Sequence, residues 1–403
     1  MNTGITMPLT APAADTSNKF PHVENYKGLR KKIELREQQK FSDLQLKDMA
    51  FLSANLENFL PTIPASEYEK IYMNVLFGRA LLNEETDMPE LIEYLDVEGL
   101  EAVLTPGALP AVFCTYHLGS YRSIIGVMAS KGIDFVLIVD ENTYRNQSAN
   151  IKAKVAKFHK TFGVSASFDI LNAESPDIAM TLSRCLREGK SVIAYIDGNT
   201  GSGGIFHKSE VFQLKVRFLE REIFSRKGIA AISWMSKRPI IPVISYYTDG
   251  DKKPPTIKFL PPIYPAHWAD NPKAYVPDVT TQLYAILEKY LVQYYDQWET
   301  WLYLHKYLPP RSIQLVEGDC HPSSELTWDT SIAFNDTDFS LFMIEADCFL
   351  LNKRTYECFQ ISEPLFRSLL HTKPRQKLAM EAEGFNASLI KDFLERKILK
   401  IEK

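Results

Sequence analysis

The sequence lacks several features that would place a protein in a common functional class. Its 46 Lys and Arg residues are outnumbered by 50 Asp and Glu residues, which gives a net charge of -4. Nucleic-acid-binding domains usually carry a basic excess, so this class is disfavoured. No window approaches the roughly 18 consecutive apolar residues that a membrane-spanning helix needs. We therefore expect a soluble or peripherally bound protein without a nucleic-acid partner.

Paired cysteines are also lacking. The five cysteines are scattered, and no pair has the spacing of zinc ligands. We therefore expect reduced thiols in a cytoplasmic protein, and no metal. Peripheral contact with the inner membrane is left open. The first 20 residues contain no basic start followed by an apolar core, so we expect no signal peptide there.

What the sequence does have is a normal core composition, with 45% hydrophobic and 12% aromatic residues. A chain of 403 residues is expected to form two or three domains. Composition and periodicity predict five segments. They are a disordered tail at 1–24, a helical extension at 25–105, an α/β domain at 106–310, a linker at 311–330 and a small winged-helix domain at 331–403.

Strand and helix patterns alternate between about residues 108 and 262. Short apolar runs rich in β-branched residues are separated by helical stretches, and the runs are Ala111–Tyr116, Phe135–Val139, Ser191–Ile196 and Ile240–Ser245. Alternating βα units predict an α/β fold with a mostly parallel sheet flanked by helices. His117, Asp140 and Asp197 each follow one of these runs, so we expect them at one edge of the sheet, where α/β folds bind ligands.

Two blocks carry the chemistry of this edge. His117 can accept a proton near neutral pH, which suits a general base. The glycine-rich block from Asp197 to Gly204 lets backbone N–H groups approach an anion closely. It lacks the spacing of a nucleotide-triphosphate loop.

Four sequence blocks occur in order along the chain. They are His117-Leu-Gly-Ser-Tyr-Arg122, Asp197-Gly-Asn, the stretch from Phe218 through Ala230 to Pro239-Ile-Ile-Pro-Val, and the closing motif Trp298-Glu-Thr-Trp-Leu-Tyr-Leu-His305. Together they resemble the bacterial late lipid A acyltransferases of the lysophospholipid acyltransferase superfamily. The resemblance covers about residues 90–308 and implies a glycerol-3-phosphate acyltransferase-like fold. It implies transfer of an acyl group from an acyl-CoA or acyl-carrier-protein thioester to a hydroxyl or amine, without a cofactor.

The chain departs from the family pattern H-x-x-x-x-D/E, because Arg122 stands where the acid should orient the histidine. A guanidinium offers no acceptor for this role. Three hypotheses follow. Asp197, or else Asp140 or Glu141, replaces the missing acid. Arg122 binds an acidic group of the acceptor or the carrier. The domain is inactive or performs altered chemistry.

The resemblance also implies substrate-binding roles for residues near these blocks. Ser120 is expected to contact the substrate, and Asn199 and Gly201 belong to the loop that lines the pocket. Arg221 or Arg226 is expected to hold a phosphate, against the alternative of a solvated helix charge.

Residues 331–403 resemble PqqD-like winged-helix domains. The resemblance rests on two short hydrophobic motifs, Phe349–Ser362 and Ile390–Leu399. It implies that a peptide partner binds by adding a strand to a sheet edge. A module that only packs or dimerises is the alternative.

These patterns favour a cytoplasmic acyltransferase that modifies a specialised metabolite, a peptide or a lipid precursor. The main alternative is an acyltransferase fold that has become a lipid- or peptide-binding protein. A nucleotide-sugar transferase with Asp197 near a metal is disfavoured, since no D-x-D pair occurs.

Overall fold

Helices form the first part of the structure. The computed structural model describes residues 23–37, 42–105, 107–198, 213–249, 253–308, 330–370, 375–376, 380 and 386–402. Helices α1 (Val23–Glu37), α2 (Asp43–Phe59) and α3 (Tyr68–Glu85) come first. The side chain of Ser42 accepts a hydrogen bond from Gln45 N in a capping box, which explains why α2 begins there. Residues 1–22 of the predicted tail lie outside the described residues.

A seven-stranded sheet forms the centre of the fold. Its order is β1-β9-β8-β2-β5-β3-β4, and all neighbours are parallel except β8 and β9. The strands are β1 (Asp96–Glu98), β2 (Val112–Thr115), β3 (Phe135–Val139), β4 (Phe168–Asn172), β5 (Ser191–Tyr195), β8 (Ile240–Tyr246) and β9 (Thr256–Phe259). The mostly parallel sheet predicted from the sequence is confirmed.

Helices cover both faces of this sheet. They are α4 (Leu100–Val103), α5 (Ser123–Ser130), α6 (Glu141–Phe162), α7 (Ile178–Arg187), α8 (Gly228–Ser236) and α9 (Tyr275–Tyr294). Successive side chains of a strand point to opposite faces. Accordingly, Leu137 packs in one apolar core and Ile138 against the other. The sequence predicts a long amphipathic helix from about Asp278 to Trp301. In the structure α9 ends at Tyr294, and three short 3-10 helices follow it, at Tyr295–Gln297, Glu299–Leu302 and Leu304–Tyr307.

An antiparallel hairpin lies before helix α8. It consists of β6 (Gln213–Phe218) and β7 (Arg221–Arg226). Arg221 and Arg226 therefore lie on a strand, so the expectation of a helix charge is wrong for both. The alternating apolar residues Leu214, Val216 and Phe218 are the period-2 signal of a half-buried strand.

The C-terminal segment contains two further three-stranded sheets. One has the order β14-β10-β15 and the other β11-β12-β13. The strands are β10 (Ser331–Phe334), β11 (Phe339–Ile344), β12 (Asp347–Asn352), β13 (Cys358–Ile361), β14 (Arg375–Gln376) and β15 (Leu399–Ile401), with helices α10 (Glu363–Leu369) and α11 (Ala387–Glu395). The side chain of Asn386 caps α11 by accepting a hydrogen bond from Leu389 N. The strands and helices expected for a winged helix are present, but this arrangement does not establish that fold.

The β11-β12-β13 sheet packs against α2. Phe342 and Leu351 join Ala50 and Ala54 in one buried apolar cluster. Asn58 adds polar contacts, because its Nδ2 donates to the carbonyl oxygens of Ala54 and Lys353, both at 2.7 Å. The C-terminal strands are thus held by an apolar contact with a buried amide beside it.

No helix in the described part of the chain is both long and apolar enough to cross a membrane.

Candidate active site

The topology brings His117 and Asp197 together. His117 follows β2 and Asp197 follows β5, and these two strands are parallel neighbours with Thr115 opposite Tyr195. Both side chains therefore lie just beyond the carboxyl ends of adjacent strands, where ligands bind in open α/β sheets.

A buried hydrogen-bonded pair is the centre of the site. Nδ1 of His117 lies 2.9 Å from Oδ1 of Asp197. The backbone N–H of His117 also donates to Oδ1 and Oδ2, at 3.1 and 3.0 Å. The side chain of Asp197 is 1% exposed and that of His117 is 17% exposed. A carboxylate on Nδ1 favours the tautomer with its proton there, which leaves Nε2 as the acceptor.

Two further side chains hold the carboxylate of Asp197 in place. The indole Nε1 of Trp298 donates to Oδ2 over 2.6 Å, and the hydroxyl of Thr300 donates to the same oxygen over 3.2 Å. Both residues are buried. The sequence does not reveal this contact, because its helical periodicity continues through Trp298.

The charge of Asp197 sets the basicity of His117. Burial is the largest single influence and lowers the pKa of His117, because it disfavours the charged imidazolium. The charge and hydrogen bond of Asp197, with the more distant Glu299, outweigh burial, so the net pKa of His117 is raised above its ordinary value of 6.5.

Two tyrosine rings enclose the imidazole. The ring centroids of Tyr121 and Tyr195 each lie 4.7 Å from that of His117. Among the described residues, no side chain hydrogen-bonds to Nε2, and no serine or cysteine hydrogen-bonds to the ring. The pair is therefore a base with an orienting acid, and a triad with a protein nucleophile is not formed by these residues.

The turn after His117 is fixed by close backbone packing. Gly119 has a φ of +55°, and a Cβ there would lie 2.6 Å from Tyr246 Cα and 2.7 Å from Ser245 O. The backbone of residues 297–299 lies over the turn, since Gly119 N donates to Gln297 O and Glu299 N donates to His117 O. Only glycine fits at 119 without moving this packing.

Arg122 lies beside the pair without replacing the missing acid. Its Nη1 donates to Oδ1 of Asn83 over 3.1 Å, and its guanidinium carbon lies 5.7 Å from the ring centroid of Tyr121. Its positive charge lowers the pKa of His117, a smaller influence than that of Asp197. The structure thus brings Asp197, and not position 122, to the imidazole.

The alternative acids have other partners. Asp140 caps α6 by accepting from Thr143 N over 2.9 Å. Glu141 pairs with Arg145 and accepts from Asn172. The structure gives neither carboxylate a contact with His117.

The structure places the predicted substrate-binding residues in different surroundings. Ser120 is fully buried and donates to Glu85, which takes its hydroxyl away from a substrate. Arg221 donates to Asn58, next to the C-terminal strands, and does not line the cavity beside His117. Arg226 does line that cavity, and its Nη2 is buried without a hydrogen-bond partner in the described part of the chain. Asn199 and Gly201 lie outside the described residues.

His305, from the closing motif, is buried by aromatic rings. Its ring stacks on Phe51 with centroids 4.0 Å apart, and Tyr356 stacks at 6.3 Å. Burial, with the nearby charges of Lys306 and Lys47, lowers the pKa of His305 to about 3. The imidazole is therefore neutral at physiological pH and packs like an aromatic side chain.

A cavity of about 1260 Å³ opens beside His117. Its described lining includes seven Lys and Arg side chains against five Asp and Glu. Apolar side chains from several strands and helices also line it, among them Ile125, Ile138, Val155, Ile178, Leu182 and Ile232. A mixed wall of this kind suits a ligand with an apolar portion and an anionic portion. No group of three or more His, Cys, Asp or Glu side chains that could hold a metal ion occurs among the residues described.

Comparison with known proteins gives a distant likeness to a solved structure. No protein-family model matches the chain, and no curated protein matches it. Among solved structures, the chain is similar to the 1-acyl-sn-glycerophosphate (LPA) acyltransferase PlsC from Thermotoga maritima. The match has 14% sequence identity, covers 61% of this chain and 95% of that chain, and has a TM-score of 0.29. At that TM-score the functional argument rests on the geometry of the site.

Proposed function

We propose that the protein is an acyltransferase in which His117 is the general base. The observation that carries the proposal is the 2.9 Å contact between His117 Nδ1 and Asp197 Oδ1, with the ring at the wall of a large cavity. This pair supplies a base and an orienting acid, and no serine or cysteine among the described residues hydrogen-bonds to the imidazole. Direct attack by the acceptor is the mechanism that needs only these groups.

The proposed reaction uses two proton transfers through Nε2 of His117. His117 removes the proton from a hydroxyl or amine as that group attacks the carbonyl carbon of a thioester. The tetrahedral intermediate then collapses, the C–S bond breaks, and the imidazolium returns the proton to the leaving thiolate. Asp197 remains ionised and stabilises the imidazolium. The apolar wall of the cavity suits an acyl chain carried by coenzyme A or an acyl carrier protein.

Arg122 and Arg226 fit a role in binding an acidic group. Both line the cavity, which has an excess of basic side chains although the whole chain has a net charge of -4. Arginine suits phosphate and carboxylate because its planar fork can donate two parallel hydrogen bonds. The anionic group belongs either to the donor or to the acceptor, and the Arg122→Gln variant separates these sources. A raised KM for the donor alone identifies the carrier, and a raised KM for the acceptor alone identifies the acceptor.

The test of the proposed function is intact-mass analysis of reactions with acyl-CoA and acyl-carrier-protein donors and a panel of hydroxyl and amine acceptors. His117→Gln is the test variant, and His267→Gln is the matched control on an exposed residue. We expect thioester consumption and acyl transfer in the wild type and the control, and loss of both in His117→Gln. Equal consumption by all three proteins would overturn the role of His117.

The alternative function is a lipid- or peptide-binding protein, which the presence of Arg122 at the motif acid position favours. Tight thioester binding without turnover in the same reactions would support it. A peptide partner for residues 331–403 and a cytoplasmic location, with peripheral membrane contact, remain predictions. The comparison of the two donors is designed to identify the carrier, and the acceptor panel is designed to identify the acceptor.

A further inference from the structure

A buried carboxyl group lies under the turn that follows His117. Glu85 ends α3 and is 2% exposed. Its Oε1 accepts hydrogen bonds from Tyr26 over 2.7 Å and from Tyr247 over 2.6 Å, and its Oε2 accepts one from Ser120. The hydroxyl of Ser120 also lies 2.6 Å from that of Ser123. Three separate parts of the chain thus meet the turn at one carboxyl group.

The chain keeps this group at a cost. Burial raises the pKa of Glu85, which the three hydroxyl hydrogen bonds counteract by lowering it. In the described part of the chain no Lys, Arg or His forms an ion pair with Glu85. Burying an unpaired carboxyl group is unfavourable, and an apolar side chain of similar size would avoid that cost. The carboxylate must therefore supply something that an apolar side chain cannot.

What the carboxylate supplies is a fixed position for Ser120. Residues 297–299 hold the turn from one side through the backbone at His117 and Gly119. On the other side, the hydrogen bond from Ser120 to Glu85 joins the middle of the turn to α3. Ser120 lies three residues after His117 and two before Arg122, so anchoring it restricts both.

We propose that Glu85 is a positioning residue that, through Ser120, holds the 117–122 turn with His117 against Asp197 and Arg122 at the cavity. Through Tyr26 it also makes α1 part of the support of the site. As far as catalysis is concerned, this inference rests on the proposed function. The contact between His117 and Asp197 can be tested without any substrate.

The test compares Glu85→Gln and Ser120→Ala with Glu57→Gln. Glu57 is the matched control because it also accepts a tyrosine hydrogen bond, from Tyr68 over 3.0 Å, away from the site. Proton NMR would follow the His117 ring, identified by its loss in His117→Gln. In the two test variants we expect the apparent pKa of His117 to move down towards its ordinary value, because the contact with Asp197 loosens. The control should leave it unchanged.

Kinetics supply the second readout. A misplaced base reduces turnover without removing the binding cavity, so we expect kcat to fall by on the order of 10- to 100-fold with little change in KM. A Glu85→Gln protein that unfolds cooperatively as the wild type does, with unchanged His117 signals and kcat, would overturn the proposal. If Glu85→Gln does not fold, Ser120→Ala decides, since it removes only one hydroxyl. If the wild type shows no acyl transfer, the proposed function fails while the NMR result still decides the role of Glu85.

Discussion

Trp298 donates its indole N–H to Oδ2 of Asp197 over 2.6 Å, while the other oxygen of Asp197 faces His117. The indole therefore fixes the rotation of the carboxylate about its bond to Cβ. With that rotation fixed, Oδ1 is directed at the imidazole. Trp298 therefore supports the orienting acid. In the sequence, only its place in the block that ends at His305 connects it with the site.

Trp298→Phe should weaken this arrangement. The change leaves a buried carboxylate oxygen with one donor fewer, which we expect to cost about 1–3 kcal/mol of the free energy of unfolding. Activity should also fall, because Asp197 gains freedom to rotate. Chemical denaturation and steady-state kinetics measure the two effects.

Trp268→Phe is the control for this prediction, since Trp268 makes an indole to aspartate hydrogen bond of 3.0 Å with Asp278 at an exposed site. Equal losses in both variants would show that the contact with Asp197 has no special role.

The pH dependence follows from the raised pKa of His117. A general base must be neutral, so kcat/KM should rise with pH along a limb centred above 6.5. Stability should change in the opposite sense. The contribution of protonated His117 to the free energy of unfolding is fully present below about pH 6.5, which is the pKa of histidine in the unfolded chain. It is lost as the pH rises through the raised pKa of His117 in the folded protein. His117→Gln should abolish that part of the stability profile. A kinetic limb centred below 6.5 would contradict the assignment.

Asp197→Asn should test the acid directly. The amide cannot hold the same tautomer of His117 or stabilise the imidazolium, so we expect kcat to fall by on the order of 10³- to 10⁴-fold. Asp140→Asn is the matched control, because asparagine caps a helix about as well as aspartate. Near-normal kcat in Asp140→Asn with a large loss in Asp197→Asn is the expected pattern. The reverse pattern would identify Asp140 as the orienting acid.

Asn58→Ala should loosen the C-terminal strands. It removes the hydrogen bond to Lys353 O and leaves Arg221 without that partner, which we expect to cost about 1–3 kcal/mol. Cys348, which is 2% exposed, should then react faster with a thiol reagent, as measured by peptide mass spectrometry. Asn146→Ala, on the exposed face of α6, is the control. Unchanged labelling of Cys348 would show that the apolar contact alone holds the strands.

The sequence predicted the part of the site that depends on strand order. The ends of β2 and β5 are marked by apolar runs, and parallel strands bring their carboxyl ends to one edge, so His117 and Asp197 could be paired in advance. The roles of Glu85 and Tyr26 could not be predicted, because Glu85 is 35 residues from Ser120 and 59 residues from Tyr26 along the chain. No local periodicity records such a contact.

The hairpin of β6 and β7 was missed for another reason. Its period-2 alternation is present, but the charged residues Lys215, Arg217 and Glu222 between the apolar positions are equally typical of a solvated helix face. The functional consequence is direct, since Arg226 lies at the cavity and Arg221 at the C-terminal strands.

The side-chain amide of Asn55, on α2, hydrogen-bonds to two separate parts of the chain. Its Nδ2 donates to Trp301 O over 2.7 Å, and its Oδ1 accepts from Tyr356 over 2.9 Å. An aspartate of nearly the same shape would set an oxygen against the Trp301 carbonyl, and a leucine would leave both partners unsatisfied. We therefore expect the 298–302 segment and the C-terminal strands to open together. Their protection against amide hydrogen exchange should be lost together, although more than 50 residues of sequence separate Trp301 from Tyr356.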